Sequence, residues 1–256
     1  MTWAIREQRP GKAGRPWLVW LHGLLGDGRD WAPALPFFAD WPLAVVDLPG
    51  HGDSFTRGAA DFAEVSRGLS HTLAAAGIKT YILIGYSLGG RIALYHACLA
   101  RPPGLRAVFA EGAHPGLPRH GERAERLRHD RAWARRFAQE PLARVLADWY
   151  RQPVFAELSA DKRQALVELR RHNRGDAVAA MLMATSLGRQ PDLLPLLPSL
   201  PIPFGYLCGE YDDKFSALAR RCALPFLTVR GAGHNSHRAN PSAFADRLLT
   251  LLAPLA

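Results

Sequence analysis

The chain has 256 residues, 48% of them hydrophobic, and a formal net charge of +9 from 32 Lys and Arg against 23 Asp and Glu. That is long enough for one α/β domain with an insertion and a large core, and too apolar for a disordered chain. No apolar run approaches the ~18–20 residues that span a bilayer, and residues 1–16 carry charges but no apolar signal core. Cys98, Cys208 and Cys222 form no Cys-x-x-Cys pair, so a cytoplasmic protein with reduced thiols is expected. Only Lys12, Lys79, Lys162 and Lys214 are lysines, and no basic run interleaves with aromatics, so a nucleic-acid partner is not indicated. The charge then reflects either an arginine-rich composition or a small anionic substrate.

In chain order, Trp17–Leu21 is a short apolar run of the kind that forms a buried parallel strand. It ends in His22-Gly23-Leu24-Leu25-Gly26-Asp27-Gly28, a glycine-rich turn able to aim backbone N–H groups at a ligand. Leu43–Asp47 is a second buried strand, followed by the turn-rich Leu48–Ser54. Asp47 and His51 in this region are better read as partners of loop backbone than as reacting groups. Phe62–Ala76 has helical spacing and reads as the crossover to Tyr81-Ile82-Leu83-Ile84, where four β-prone residues end at Gly85.

Gly85-Tyr86-Ser87-Leu88-Gly89 then places a serine between two glycines in a strand–turn–helix context, a nucleophile elbow. Strand and helix nearly touch at such a turn, which excludes side chains at Gly85 and Gly89. The serine is expected in a strained backbone conformation, at the positive end of the following helix. In α/β-hydrolases the oxyanion hole takes one N–H from the loop after an earlier strand and one from the residue after the nucleophile. Here those are Leu24 and Leu88.

Leu105–Ala110 is another strand, after which strand–helix alternation stops. From about Gly121 to Leu187 the pattern is helical: Glu122–Gln139, Pro141–Tyr150, Ala160–Arg171 capped by Ser159, and Asp176–Leu187. Helices between two strands of a parallel sheet read as an inserted lid. The expected organisation is a core of residues 1–111 and 199–256 and a helical lid of 112–198. Between Gly112 and Gln190 there are fifteen basic and nine acidic residues. Arginine suits bidentate carboxylate recognition, so an arginine-rich lid over a site mouth points to an anionic substrate.

Phe204–Cys208 and Phe226–Val229 are the last strands, followed by Glu210-Tyr211-Asp212-Asp213 and Gly231-Ala232-Gly233-His234-Asn235-Ser236-His237. The order Ser, then Asp after a strand, then His after the next, is the triad order of α/β-hydrolases. Ser87, Asp212 and His234 are the catalytic candidates. Asp213 competes with Asp212, and His237 with His234 as a surface or supporting residue.

These stretches, together with Val46-Asp47-Leu48-Pro49-Gly50-His51-Gly52, Gly90-Arg91, Glu111–Leu117, Arg123-Ala124-Glu125-Arg126, Asp148–Phe155, Met181–Leu187, Leu207-Cys208-Gly209-Glu210 and Lys214-Phe215, carry a resemblance. The chain resembles the 2-succinyl-6-hydroxy-2,4-cyclohexadiene-1-carboxylate synthases of menaquinone biosynthesis along nearly its whole length. The resemblance implies an α/β-hydrolase fold, a mostly parallel sheet flanked by helices with a helical lid, hosting a lyase. That lyase eliminates pyruvate from 2-succinyl-5-enolpyruvyl-6-hydroxy-3-cyclohexene-1-carboxylate, with the triad serine as base. It further implies Tyr86, Arg91, Arg126, Trp149 and Arg170 as substrate-binding residues, no metal, no organic cofactor and a monomer. Leu25 in the first loop and Arg119-His120-Gly121 before the lid helix depart locally from the family pattern. The competing readings are a carboxylesterase or carbon–carbon bond hydrolase acting through acyl-Ser87, and a non-catalytic binder on the same fold.

Overall fold

The computed structural model describes residues 2–256. Its one sheet is built from β1 (Ile5–Arg9), β2 (Trp17–Leu21), β3 (Leu43–Val46), β4 (Tyr81–Tyr86), β5 (Leu105–Glu111), β6 (Phe204–Gly209) and β7 (Phe226–Val229). The strand order is β1-β3-β2-β4-β5-β6-β7, with β1 antiparallel to β3 and every other pairing parallel. The inner strands are covered on both faces, which is why they read as continuous apolar runs. The edge strand β1 does not. Its residues Ile5-Arg6-Glu7-Gln8-Arg9 are mostly polar and its register slips between Ile5 and Glu7, so no sequence pattern announced it.

After the edge strand β1 the chain enters the sheet at β2, steps outward through β3, then returns to β4 and proceeds the other way. Connections therefore leave in opposite directions from the carboxyl ends of β2 and β4, and a crevice opens there. Helices α1 (Phe62–Ala75), α2 (Leu88–Tyr95), α7 (Asp213–Arg221), α8 (Ser236–Ala239) and α9 (Pro241–Leu252) belong to the connections around the sheet. One face buries Leu21, Val46, Leu83, Ile92 and Val108, and the other buries Trp20, Trp31, Phe38, Phe109 and Phe244.

Between β5 and β6 the chain runs through α3 (His120–Gln139), α4 (Leu142–Trp149), α5 (Ala160–Arg170) and α6 (Gly175–Ala184). These four helices share an apolar cluster of their own, including Phe137, Val145, Leu146, Tyr150, Val167, Val178 and Leu182. Leu25, from the loop after β2, is inserted into that cluster and is fully buried. The last of these helices ends earlier than its apolar pattern suggested. Thr185 leaves helical geometry (φ −113°, ψ 27°), its hydroxyl donates to the Met181 carbonyl, and its own carbonyl accepts from Arg91 Nη1 at 2.7 Å. A buried arginine takes the carbonyl that another helical turn would have needed.

Candidate active site

At the end of β4 the backbone turns sharply into α2. Ser87 sits at φ 49°, ψ −105°, a conformation that non-glycine residues rarely hold without a functional demand. Its N–H donates to the Glu111 carbonyl at 2.8 Å. The glycines around it are explained by contact: a Cβ on Gly85 would meet the Gly89 carbonyl, and one on Gly89 would meet the carbonyls of Leu21 and His22. Strand and helix thus touch through bare backbone.

The loop after β2 is held by two buried imidazoles. His51 Nδ1 donates to the Pro49 carbonyl and its Nε2 accepts the Leu25 N–H at 3.0 Å. His22 Nδ1 donates to the Gly23 carbonyl and its Nε2 accepts the Leu48 N–H. Each ring is one donor and one acceptor, hence neutral. Burial lowers both pKa values, that of His51 to about 3. Asp47 accepts from the N–H groups of Gly28 and Asp53 and pairs with Arg6. These groups brace the turn that carries Leu24.

The loops after β6 and β7 supply the remaining pieces. Asp212 Oδ1 caps α7 by accepting the Phe215 N–H, while Oδ2 lies 2.7 Å from His234 Nδ1. Asp213 opens α7 beside it and is exposed. The His234 ring stacks on Phe215 with centroids 4.8 Å apart, and Gly112 (φ 54°) leaves it room, since a Cβ there would come within 2.8 Å of His234 Cε1. His237 is fully buried rather than superficial. Its Nδ1 lies 2.7 Å from Glu111 Oε2 and its ring stacks on Trp31 at 4.1 Å.

Ser87, Leu24, Leu88 and His234 line one cavity of about 320 Å³ with Arg91, Arg126 and Trp149. Lys214, His114, His129, Gln152 and Phe155 complete much of the wall, and no aspartate or glutamate is among the lining residues. Arg91 is nine-tenths buried, and burial, then the Arg126 charge, lowers its pKa to about 9. Arg126 is oriented by Asp130, 2.7 Å from its Nε. Tyr86 is buried beside the cavity, its ring between those of His234 and His237.

Arg170 departs from the expected set. It is outside the cavity lining, and its Nη2 lies 2.7 and 2.8 Å from the two oxygens of the buried Asp30. Arg238 reaches the same carboxylate at 3.0 Å. Burial penalises the Asp30 charge, but the two guanidinium groups outweigh it and its pKa is lowered. A buried carboxylate demands such a partner, and Arg170 meets that demand from α5. Sequence patterns could not find Asp30 or Glu111, because both act across the fold on residues far away in the chain.

Fold and site together define an α/β hydrolase. The chain belongs to that class: the model of the "Alpha/beta hydrolase family" matches residues 18–247. Within it, the chain belongs to the 2-succinyl-6-hydroxy-2,4-cyclohexadiene-1-carboxylate synthase family. It is 56% identical to the protein of that name from Pectobacterium atrosepticum over 239 residues, covering 93% of this chain and 94% of the relative. The Yersinia pestis protein of the same name is also 56% identical, over 97% of this chain and 90% of its own. Among solved structures, MenH from S. aureus superposes with a TM-score of 0.87 at 26% identity, covering 97% of each chain. An esterase from Thermogutta terrifontis reaches 0.77 at 21% identity, over 97% of this chain and 92% of that one, a likeness of fold alone.

Proposed function

We propose that this chain eliminates pyruvate from 2-succinyl-5-enolpyruvyl-6-hydroxy-3-cyclohexene-1-carboxylate, with Ser87 as the base and residues 112–198 as the lid over the site. The observation that carries the reading is the company Ser87 keeps: it shares one cavity with the His234 of a His234–Asp212 pair and with a wall rich in cations and free of carboxylates. An ester hydrolase has no need of that excess, whereas this substrate bears three carboxylates.

The chemistry follows from the change in unsaturation. A 3-cyclohexene becomes a 2,4-cyclohexadiene when a proton leaves C2, the 3,4 double bond shifts to 4,5, and the C5–O bond breaks. C2 lies next to the succinyl carbonyl, so its proton is acidified and the departing charge collects on that oxygen. Ser87 gives its hydroxyl proton to His234, with Asp212 holding the ring tautomer and stabilising the imidazolium. The serine oxygen then takes the C2 proton. The N–H groups of Leu24 and Leu88 receive the enolate oxygen, where fixed dipoles need no reorganisation as charge develops. As the diene forms, pyruvate leaves as its enolate and is protonated. Trp149 offers the ring an apolar wall, and Arg91 and Arg126 hold carboxylates.

The test separates base from nucleophile. With the enolpyruvyl substrate, stoichiometric pyruvate release is expected, and mass spectrometry of enzyme quenched during turnover shows unmodified Ser87. A substrate-derived adduct on Ser87 makes it a covalent nucleophile instead.

A further inference from the structure

The cavity wall includes one cation, Lys214, that lies in a stretch carrying the family resemblance but is not among the substrate-binding residues the resemblance implies. Lys214 lies in the first turn of α7, two residues after Asp212. One short segment therefore supplies the acid that orients His234 and a positive charge in the same cavity. Asp212 N-caps the helix, which fixes the position of that turn.

The three cations of the lining differ in how far they are already satisfied. Arg91 spends Nη1 on the Thr185 carbonyl and Gln190 Oε1. Arg126 spends Nε on Asp130, leaving its two terminal nitrogens without a partner among the described residues. Lys214 makes no hydrogen bond and no ion pair among the described residues; its ammonium merely lies 5.5 Å from the Phe215 ring. The residue as a whole is exposed, yet the cavity wall crowds its charged end, so that desolvation first and the Arg126 charge second lower its pKa. His114 reports the same convergence: burial first, then Arg91, Arg126 and Lys214, push its pKa down to about 3. Three positive groups face a common space whose lining includes no carboxylate, Asp130 lying behind Arg126. Such an arrangement is costly until an anion enters.

We propose that Lys214 is a carboxylate receptor of the active site, the third beside Arg91 and Arg126. The proposal rests on the elimination reading for the identity of the substrate, and on the cavity alone for the class of ligand, a polycarboxylate. An ammonium on a flexible stem suits a carboxylate on a mobile arm. The succinyl chain is that arm, while Arg91, buried beside Ser87, meets a carboxylate fixed near the ring. Lys214 binds ground and transition states alike, because the carboxylate at the end of the arm takes no part in the bonds that change.

Two measurements on the intact protein test this. First, kcat and KM for pyruvate release are compared for Lys214→Gln, Lys214→Arg and the exposed α7 control Arg220→Ala. Lys214→Gln is expected to raise KM about ten- to a hundredfold with kcat nearly unchanged, Lys214→Arg to recover most of it, and Arg220→Ala to behave as the parent. Second, calorimetry measures binding of benzene-1,3,5-tricarboxylate, which needs no catalysis. Its affinity should fall by a similar factor in Lys214→Gln only. If the parent releases no pyruvate but binds the tricarboxylate through Lys214, the elimination reading fails and the receptor stands. If KM and tricarboxylate affinity are unmoved in Lys214→Gln, or if Arg220→Ala raises KM and weakens tricarboxylate binding equally, Lys214 is not a receptor.

Discussion

At the scale of single residues, the site is a set of groups each held by more than one constraint. Ser87 is fixed by an unfavourable backbone angle and by the Glu111 carbonyl, and His234 by Asp212 and the face of Phe215. Groups that relay one proton act as a unit, so removing any one of them removes most of the function. Ser87→Ala should lower kcat about 10⁴-fold or more. Adding His234→Ala should cost little beyond that. Pyruvate release by the two single variants and the double variant decides it, and independent, multiplicative losses would contradict the relay. Glu111 contributes differently. Its carbonyl holds the serine turn, while its carboxylate accepts from Ser236 N, Ser236 Oγ and His237 N in the loop that carries His234. One residue thereby joins the serine turn to the start of α8, just after His234.

At the scale of elements, the four helices after β5 are fastened to the sheet by polar links as well as by apolar contact. Arg170 at the end of α5 grips Asp30, which lies in the short helical turn after the β2 loop. Asn173 Nδ2 donates to the Leu25 carbonyl in that loop. The link reaches the loop that carries Leu24, whose N–H we propose for the enolate oxygen. Removing one partner of a buried ion pair leaves the other charge stranded, at a cost of about 3–5 kcal/mol. Arg238 remains on Asp30, so Arg170→Ala should fall toward the lower end of that range. Paired with Asp30→Asn, the same change should be milder, because no carboxylate is left behind. Urea titrations of the two single variants and the double variant check this. A large rise in KM for Arg170→Ala without loss of stability would return Arg170 to the substrate.

At the scale of the whole molecule, acid lability is built into the buried imidazoles. His51, His96 and His114 have pKa values lowered to about 3, 4 and 3 by burial, and His22 is lowered by the same cause. Unfolded, these groups titrate at about 6.5. Between that value and their folded values the unfolded chain binds more protons, so stability must rise with pH across this window and fall on acidification. Each fully buried imidazole contributes up to about 1.4 kcal/mol per pH unit there. The carboxyl of Asp27, also lowered, adds to acid lability only below its unfolded value of about 4. Melting temperatures recorded from pH 7.5 to pH 5 should therefore drop steadily below about pH 6.5. A flat profile would mean that the rings are charged in the fold.

The sequence by itself determined the inner strands, the elbow and the order of serine, aspartate and histidine, because these depend on local patterns. A parallel strand covered on both faces must be continuously apolar, as Trp17–Leu21 and Tyr81–Ile84 are. A strand and helix that touch must carry glycine where they touch, as Gly85 and Gly89 do. The polar edge strand Ile5–Arg9 was illegible for the opposite reason: half in water, it needs no apolar run. Only the tertiary structure decided which of two adjacent carboxylates meets His234, that His237 lies buried against Glu111, and that Arg170 faces Asp30 while Lys214 faces the cavity. Each of these turns on where a long or buried polar side chain finds its countercharge. That partner lies across the fold, and its position is set by the packing of elements that no local window of sequence contains.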